Sequence, residues 1–284
     1  MLFEKAPAKI NLTLDVLHKR DDGYHEVNMI MTTVDLYDRM SFEVLDHDEI
    51  VVESENRFVP DNEHNLAYQA AQLFKRKQGI TQGVKIGIDK QIPVAAGLAG
   101  GSSDAAATLR GLNRLFETNL TYEQLEALAE EIGSDVPFCI KGGTQLAQGR
   151  GEKLTSISQL PPCYVVIAKP NIGVSTKDVY KQVDVAQMNH PDTQAMIEAL
   201  DAQDFDGVCN QLNNVLEPIT VNMHEEIAQI KERMEKAGAP GVLMSGSGPT
   251  VYTLVQQEAK AERIYNSLKG FCHDVYVVHA LRSS

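Results

Sequence analysis

The stretch Pro93 to Leu109, PVAAGLAGGSSDAAATL, constrains this chain more than any other. It leaves a strand end at Ile92-Pro93 and passes Gly97, Gly100 and Gly101, where the backbone can take positive φ and approach a ligand closely. Ser102 and Ser103 then read as N-cap residues, Asp104 suits a first helical turn, and Ala105, Ala106 and Ala107 propagate a helix of little bulk. The reading is strand, glycine loop, helix N-terminus. Exposed N–H groups at such a point, reinforced by the helix dipole, form an anion site, and phosphate is the commonest anion. No Lys follows the glycines as in a Walker A loop, and G-x-G-x-x-G spacing is absent. The alternative for the loop alone is a serine-capped surface turn. The all-small helix face is more than a turn needs, and it predicts a helix buried close to other backbone.

Composition narrows the partners. A chain of 284 residues, 43% hydrophobic and 23% charged, is an ordinary globular protein with room for two domains. The formal charge of -13 argues against nucleic acid or an anionic membrane as principal partner, so any phosphate must be held by local donors. No long apolar run and no signal-like start is present, and a cytoplasmic protein is expected. Cys139, Cys163, Cys209 and Cys272 lack C-x-x-C spacing and read as reduced core residues. No H-E-x-x-H pair occurs, so a protein-ligated transition metal is not expected. A phosphate-borne Mg²⁺, which needs few protein ligands, stays open.

From Ala8 to Val16 the chain alternates, with Lys9, Asn11, Thr13 and Asp15 sharing one face of a strand. Thr13 and Asp15 read as solvated residues of a half-exposed strand. Lys9 and Asn11 stand at the strand's beginning, where a cation and an amide could meet a hydroxyl and a phosphate. Lys19 to Val27 is a turn centred on Asp22-Gly23 that presents Tyr24 and His25, either as a plain hairpin or as a loop that stacks on a planar ring.

Strands are expected at Met29–Val34 and Met40–Val44, then an acidic loop and edge from Asp46 to Glu55. Asn65 caps a helix over Leu66–Lys77 that Gly79 ends, and a strand over Val84–Ile88 leads into the glycine loop. A helix from Thr121 stops at Gly133. In Gly133-Ser134-Asp135-Val136-Pro137, Ser134 or Asp135 caps a short helix, and a carboxylate held there also suits a positioned proton acceptor.

Little periodicity between Ser156 and Cys163 places a domain boundary there, giving domains 1–155 and 156–284. Beyond it come a strand over Tyr164–Ala168, a helix over Lys177–Val183 carrying Tyr180, a helical segment over Met196–Leu216, and a helix over Met223–Lys236. Strands Gly241–Met244 and Thr250–Val255 flank Ser245-Gly246-Ser247-Gly248-Pro249, which is a hairpin turn or another wall of the anion site. Strands dominate first and helices follow, which agrees with an α+β layout.

Pro93 to Ala107 resembles the central phosphate-binding motif of the GHMP kinase superfamily, which includes galactokinase, homoserine kinase and mevalonate kinase. Ala6-Pro7-Ala8-Lys9-Ile10-Asn11-Leu12 and Ser245-Gly246-Ser247-Gly248-Pro249-Thr250 resemble its other two motifs. With Asp22-Gly23-Tyr24-His25, Gly133-Ser134-Asp135-Val136-Pro137-Phe138 and Ala168-Lys169-Pro170, the chain is similar to the branch that phosphorylates a cytidine diphosphate-linked polyol in non-mevalonate isoprenoid biosynthesis.

The resemblance implies a two-domain α+β fold, an N-terminal domain of the ribosomal protein S5 domain 2 type and a ferredoxin-like C-terminal domain. It implies an ATP-dependent kinase using Mg²⁺, with Lys9 and Asp135 catalytic. ATP would be held by Pro93, Val94, Ala95, Ala96, Gly97, Leu98, Ala99, Gly100, Gly101, Ser102 and Ser103, with Ser103 or Ser102 on Mg²⁺. Asn11, Tyr24, His25 and Tyr180 would bind the polyol substrate, Tyr24 stacking on cytosine, His25 reading its edge and Tyr180 opposing it. Ala99 departs from the family's loop, which commonly has glycine there. A small-alcohol kinase of the same family and a nonenzymatic nucleotide-binding module are the alternatives, and a monomer or homodimer is expected.

Overall fold

The computed structural model describes residues 1–281, which form two compact units: 1–8, 36–94 and 99–142 in the first, and 9–35, 95–98 and 143–281 in the second. Both are interrupted because two long strands, β1 (Leu2–Lys19) and β2 (His25–Leu45), each contribute to both units. The sequence reading breaks β2 into two strands. Val34 to Arg39 carries no glycine or proline that would stop the pairing, and the strand runs through.

In the first unit the strand order is β3 (Ile50–Ser54), β4 (Gly83–Asp89), β2, β1. β3 and β4 pair in parallel, and the return between them is made by helix α1 (Leu66–Gln78), since parallel neighbours need a crossover. The ends of α1 are as expected: Asn65 accepts the N–H of Ala67, and Gly79 closes the helix at φ 67°. Helix α2 (Gly100–Leu115) is buried along Ala105, Ala106 and Ala107, all fully enclosed. Gly111 permits its close seat, because a Cβ there would meet the Phe42 ring at 2.5 Å. Two shorter helices, α3 (Tyr122–Glu130) with a Thr121–Gln124 capping box and α4 (Val136–Lys141), complete the unit.

In the second unit β5 (Thr144–Gly149) pairs with β2, β6 (Lys153–Ser156) with β5, and β8 (Asn213–Asn214) lies parallel to β1. A separate sheet has the order β11 (Asp274–His279), β7 (Tyr164–Lys169), β10 (Val251–Val255), β9 (Val242–Met244), every pair antiparallel. With helices α9 (Glu225–Lys236) and α10 (Glu258–Lys269) falling after its first and third strands, this is the ferredoxin-like topology that the resemblance implied.

The expected helix over Met196–Leu216 is instead α6 (Thr193–Asp201), α7 (Phe205–Gln211) and strand β8, because Asp192 and Asp204 each cap a new start. The expected Met223–Lys236 helix is found as α9, and α8 (Glu217–Met223) precedes it as a separate short helix, with His224 in extended conformation between them. The helix carrying Tyr180, α5 (Thr176–Tyr180), is shorter than expected. Among the described residues, no helix is long and apolar enough to cross a membrane.

Candidate active site

The polar face of β1 is inside the second unit. Asn11 and Thr13 are fully buried, and Lys9 and Asp15 are 4% exposed. Thr13 and Asp15 are therefore not solvated as expected: the Thr13 hydroxyl accepts the Ile30 N–H at 3.1 Å, and Asp15 accepts from His190 at 2.6 Å. Burial of polar groups demands such partners. Lys9 Nζ donates to Asn11 Oδ1 at 2.7 Å, Asn11 Nδ2 reaches the Met29 sulfur at 3.4 Å, and the Tyr252 hydroxyl donates to the Asn11 carbonyl at 2.7 Å. The cation and amide that the sequence placed side by side are thus held in one orientation.

Two glycine-containing loops close on this pair. The Lys9 N–H donates to the Leu98 carbonyl at 3.1 Å, and Ser245 Oγ donates to the Gly97 carbonyl at 3.0 Å. Gly97, at φ 75°, touches the second loop so closely that a Cβ would lie 2.3 Å from the Ser245 carbonyl oxygen. A Cβ on Gly246 would lie 3.6 Å from Lys9 Nζ and 3.2 Å from the Gly97 carbonyl. The loop Ser245 to Pro249 is therefore a wall beside Lys9 as well as a hairpin turn, closed by Ser245 N–H to Thr250 O at 2.9 Å.

Sequence reasoning missed the residue that fixes this wall. Asn214, 3% exposed, donates from Nδ2 to the carbonyls of Met244 and Gly246, both at 2.8 Å, and accepts the Leu216 N–H at 3.0 Å. Its placement depends on β8 lying beside β1, which no local pattern announces.

The hairpin between β1 and β2 is built by Asp22, whose carboxylate accepts the Tyr24 N–H at 3.0 Å, and by Gly23 at φ 85°. The His25 ring stands 5.2 Å from that of Tyr180, tilted by 41°. Burial, with the nearby Lys19 charge, holds the His25 imidazolium below its usual range, so the neutral ring, with one donor and one acceptor, is favoured. Tyr24 does not join this pair: it is 58% exposed, with the Arg150 guanidinium 5.3 Å above its ring.

The first unit holds the second half of the glycine stretch. Helix α2 begins at Gly100, earlier than Ser102 or Ser103 would have capped it. The positive-φ residues are Ala95 at 52°, Gly97, and Ala99 at 56°, whereas Gly100 and Gly101 are helical. Ala99 thus occupies the left-handed conformation in which glycine is unstrained, and the departure from the family's glycine carries a backbone cost. The Ser103 hydroxyl is fully buried and donates to the Pro7 carbonyl at 2.7 Å, while Ser102 is half-buried.

Behind α2, Lys90 Nζ lies between Asp104, at 2.8 Å, and Asp38. Asp38 also accepts the N–H groups of Gln91 and Ile92 at 2.6 and 2.8 Å, fixing the approach to Pro93 and Val94. Burial pushes the Asp104 carboxyl up to about 7, against the pull of the Lys90 charge.

Asp135 stands at the start of α4, half-buried and in helical conformation, without a side-chain cap bond. It takes the N-cap position, as expected of Ser134 or Asp135, while the Val136 N–H is accepted by the Gly133 carbonyl at 3.2 Å and Pro137 sits in the first turn. Arg110 of α2 anchors α4 by donating to the Cys139 carbonyl at 2.7 Å and, through its other nitrogen, to the Lys5 carbonyl at 2.8 Å.

Among the described residues, no group of three or more His, Cys, Asp or Glu could hold a metal ion. Of the two candidate serine hydroxyls, that of Ser102 is the more accessible, Ser103 being fully buried.

The model of the GHMP kinases N terminal domain matches residues 65–143, and that of the GHMP kinases C terminal matches residues 196–274. The chain is 60% identical over 280 residues to a 4-diphosphocytidyl-2-C-methyl-D-erythritol kinase of Bacillus licheniformis, covering 99% of this chain and 97% of the relative. A crystal structure of 4-(cytidine 5'-diphospho)-2C-methyl-D-erythritol kinase is 34% identical, with a TM-score of 0.84 and coverage of 98% and 99%. The crystal structure of homoserine kinase from Cytophaga hutchinsonii, 20% identical over 98% of this chain and 95% of that one, shares the fold at a TM-score of 0.75.

Proposed function

The chain belongs to the GHMP kinase family, and from that premise we propose that it transfers the γ-phosphoryl group of ATP to the C2 hydroxyl of 4-diphosphocytidyl-2-C-methyl-D-erythritol. The products are the 2-phosphate and ADP, in the non-mevalonate route of isoprenoid biosynthesis. The observation that carries the reading is the likeness to the Bacillus licheniformis kinase, 60% identical over 99% of this chain.

Residue roles follow from the local chemistry. Phosphoryl transfer asks a protein mainly for positioning and charge neutralisation. Lys9, oriented by Asn11 and backed by Gly246, stabilises the developing alkoxide and the phosphoryl oxygens. Asp135, on the anchored N-terminus of α4, accepts the hydroxyl proton. Residues Pro93 to Ser103 bind the nucleotide phosphates, the N–H groups at the start of α2 supplying donors. Mg²⁺ bound with the phosphates would neutralise their charge, and Ser102 is the hydroxyl that would contact it, since Ser103 is fully buried. His25 reads the edge of the cytosine, Tyr180 supplies a face for it, and Tyr24 with Arg150 lies at the exposed rim.

The domain division 1–155 and 156–284, which falls between the two matched segments, belongs to the same reading. So do a cytoplasmic location and a monomeric or homodimeric state.

The test is ADP release from Mg-ATP with the cytidine compound, beside mevalonate, homoserine and galactose in separate reactions. Turnover on the cytidine compound alone is expected. Turnover on another alcohol would retain the kinase and refute the cytosine pocket. ATP binding without turnover on any acceptor would make the chain a nonenzymatic module.

A further inference from the structure

The connection between α5 and α6, residues 181–192, contains no fully buried side chain, so apolar packing does little to fix it. Polar ties do. Asn213 Nδ2 donates to the Asn189 carbonyl at 3.3 Å, Asn28 Nδ2 to Thr193 Oγ1 at 3.0 Å, and His190 makes two contacts at once. Its Nδ1 lies 2.6 Å from Asp15 Oδ1, and its Nε2 lies 3.2 Å from the Val185 carbonyl.

Both partners are acceptors. A neutral imidazole has one N–H and satisfies only one of them, whereas the imidazolium satisfies both. Asp15 is 4% exposed, and a carboxylate so enclosed requires a cationic or multiply donating partner. The segment fastened in this way follows directly on Tyr180, whose ring faces His25.

We propose that His190 is a positioning residue for the cytidine end of the substrate, its imidazolium bridging Asp15 of β1 to the Val185 carbonyl and thereby holding the α5–α6 connection that keeps Tyr180 beside His25. The inference rests on the cytosine reading of His25 and Tyr180 given above.

The charge that acts on His190 is that of Asp15, whose hydrogen bond raises the imidazolium above its usual range. The flanking acids are spent on their own turns: Asp184 accepts the Ala186 N–H and the Gln187 amide, and Asp192 accepts the Ala195 N–H. The bridge is therefore complete below the ordinary imidazole range and is lost as pH rises through the raised value.

The experiment is steady-state kinetics of the full chain from about pH 6 to about pH 9 for wild type, His190→Gln and Tyr180→Ala. His190→Gln is expected to raise the KM for the cytidine substrate roughly three- to tenfold at neutral pH, with kcat and the KM for ATP within about twofold. The wild-type KM should climb toward the variant's value at the alkaline end, while that of the variant stays flat. Amide hydrogen exchange over residues 181–191 should be faster in His190→Gln, a readout independent of turnover. Asp15→Asn should reproduce both effects.

Unchanged KM and unchanged exchange in His190→Gln overturn the proposal. If Tyr180→Ala raises the cytidine KM while His190→Gln does not, only the bridge fails. If Tyr180→Ala leaves that KM unaltered, the cytosine pocket itself fails, and the bridge's role falls with it.

Discussion

Replacing Gly97 by alanine probes the packing of the two glycine-containing loops most directly. The added Cβ would sit 2.3 Å from the Ser245 carbonyl oxygen and 3.0 Å from that of Gly248, both backbone atoms that cannot swing aside. At φ 75° an alanine also pays a left-handed backbone cost of about 1 kcal/mol. Relief of the overlap requires the loops to part, at a cost of about 1–3 kcal/mol, and sacrifices the Ser245-to-Gly97 hydrogen bond, worth about 1 kcal/mol. A loss of about 3–5 kcal/mol is expected, or a fall in Tm of about 6–20 °C for a chain of this size. Thermal unfolding followed by circular dichroism measures it, and the KM for ATP should rise in parallel. Ala99→Gly is the control: at φ 56° it relieves strain, so Tm should move by no more than about 2 °C. If Gly97→Ala matched wild type in both Tm and KM for ATP, the close approach of the loops would be refuted.

Asp135→Asn should lower kcat by about two orders of magnitude or more and leave ATP affinity intact, as read by turnover and by nucleotide titration; near-normal turnover would remove Asp135 as the base. Asn214→Ala leaves the Met244 and Gly246 carbonyls without their donor, and should destabilise the fold by about 2 kcal/mol while raising the KM for ATP. A drop in Tm without a change in kinetics would separate Asn214 from the site.

Asp104 supplies a pH test. Its folded carboxyl titrates at about 7, above the usual 3.8, so the native state keeps a proton that the unfolded state releases between those values. The contribution of Asp104 to stability should therefore decline as pH rises from about 4 to about 7. Asp104→Asn should lessen that decline, and equal pH slopes of Tm in the two proteins would contradict the assignment.

Much of the site was legible because its parts are local. Lys9 and Asn11 share a face through the two-residue period of a strand, and the structure joins them by a hydrogen bond. The glycine stretch does lead into a helix with an enclosed small face, and α1 starts and stops at its cap residues. The reading erred where local preference was overruled. Ser102 and Ser103 are good caps, yet α2 starts at Gly100, and Ser103 turns to the Pro7 carbonyl of β1. Thr13 and Asp15 look like solvent-facing strand residues and are buried because other segments lie over them.

By itself, then, the sequence determined what depends on neighbours a few residues apart: the capped helices, the alternating face of β1, and a glycine loop that leads into a helix of small residues. Tertiary structure alone decided the pairings between distant residues. Asn214 meets Gly246 only after β8 has found β1, Lys90 meets Asp38 across 52 positions, and Asp15 meets His190 across 175. Such pairs leave no local periodicity because each partner's own segment would form the same element without the other. Burial supplies the selection, since a charged or amide group enclosed by the fold requires the partner that the fold brings to it.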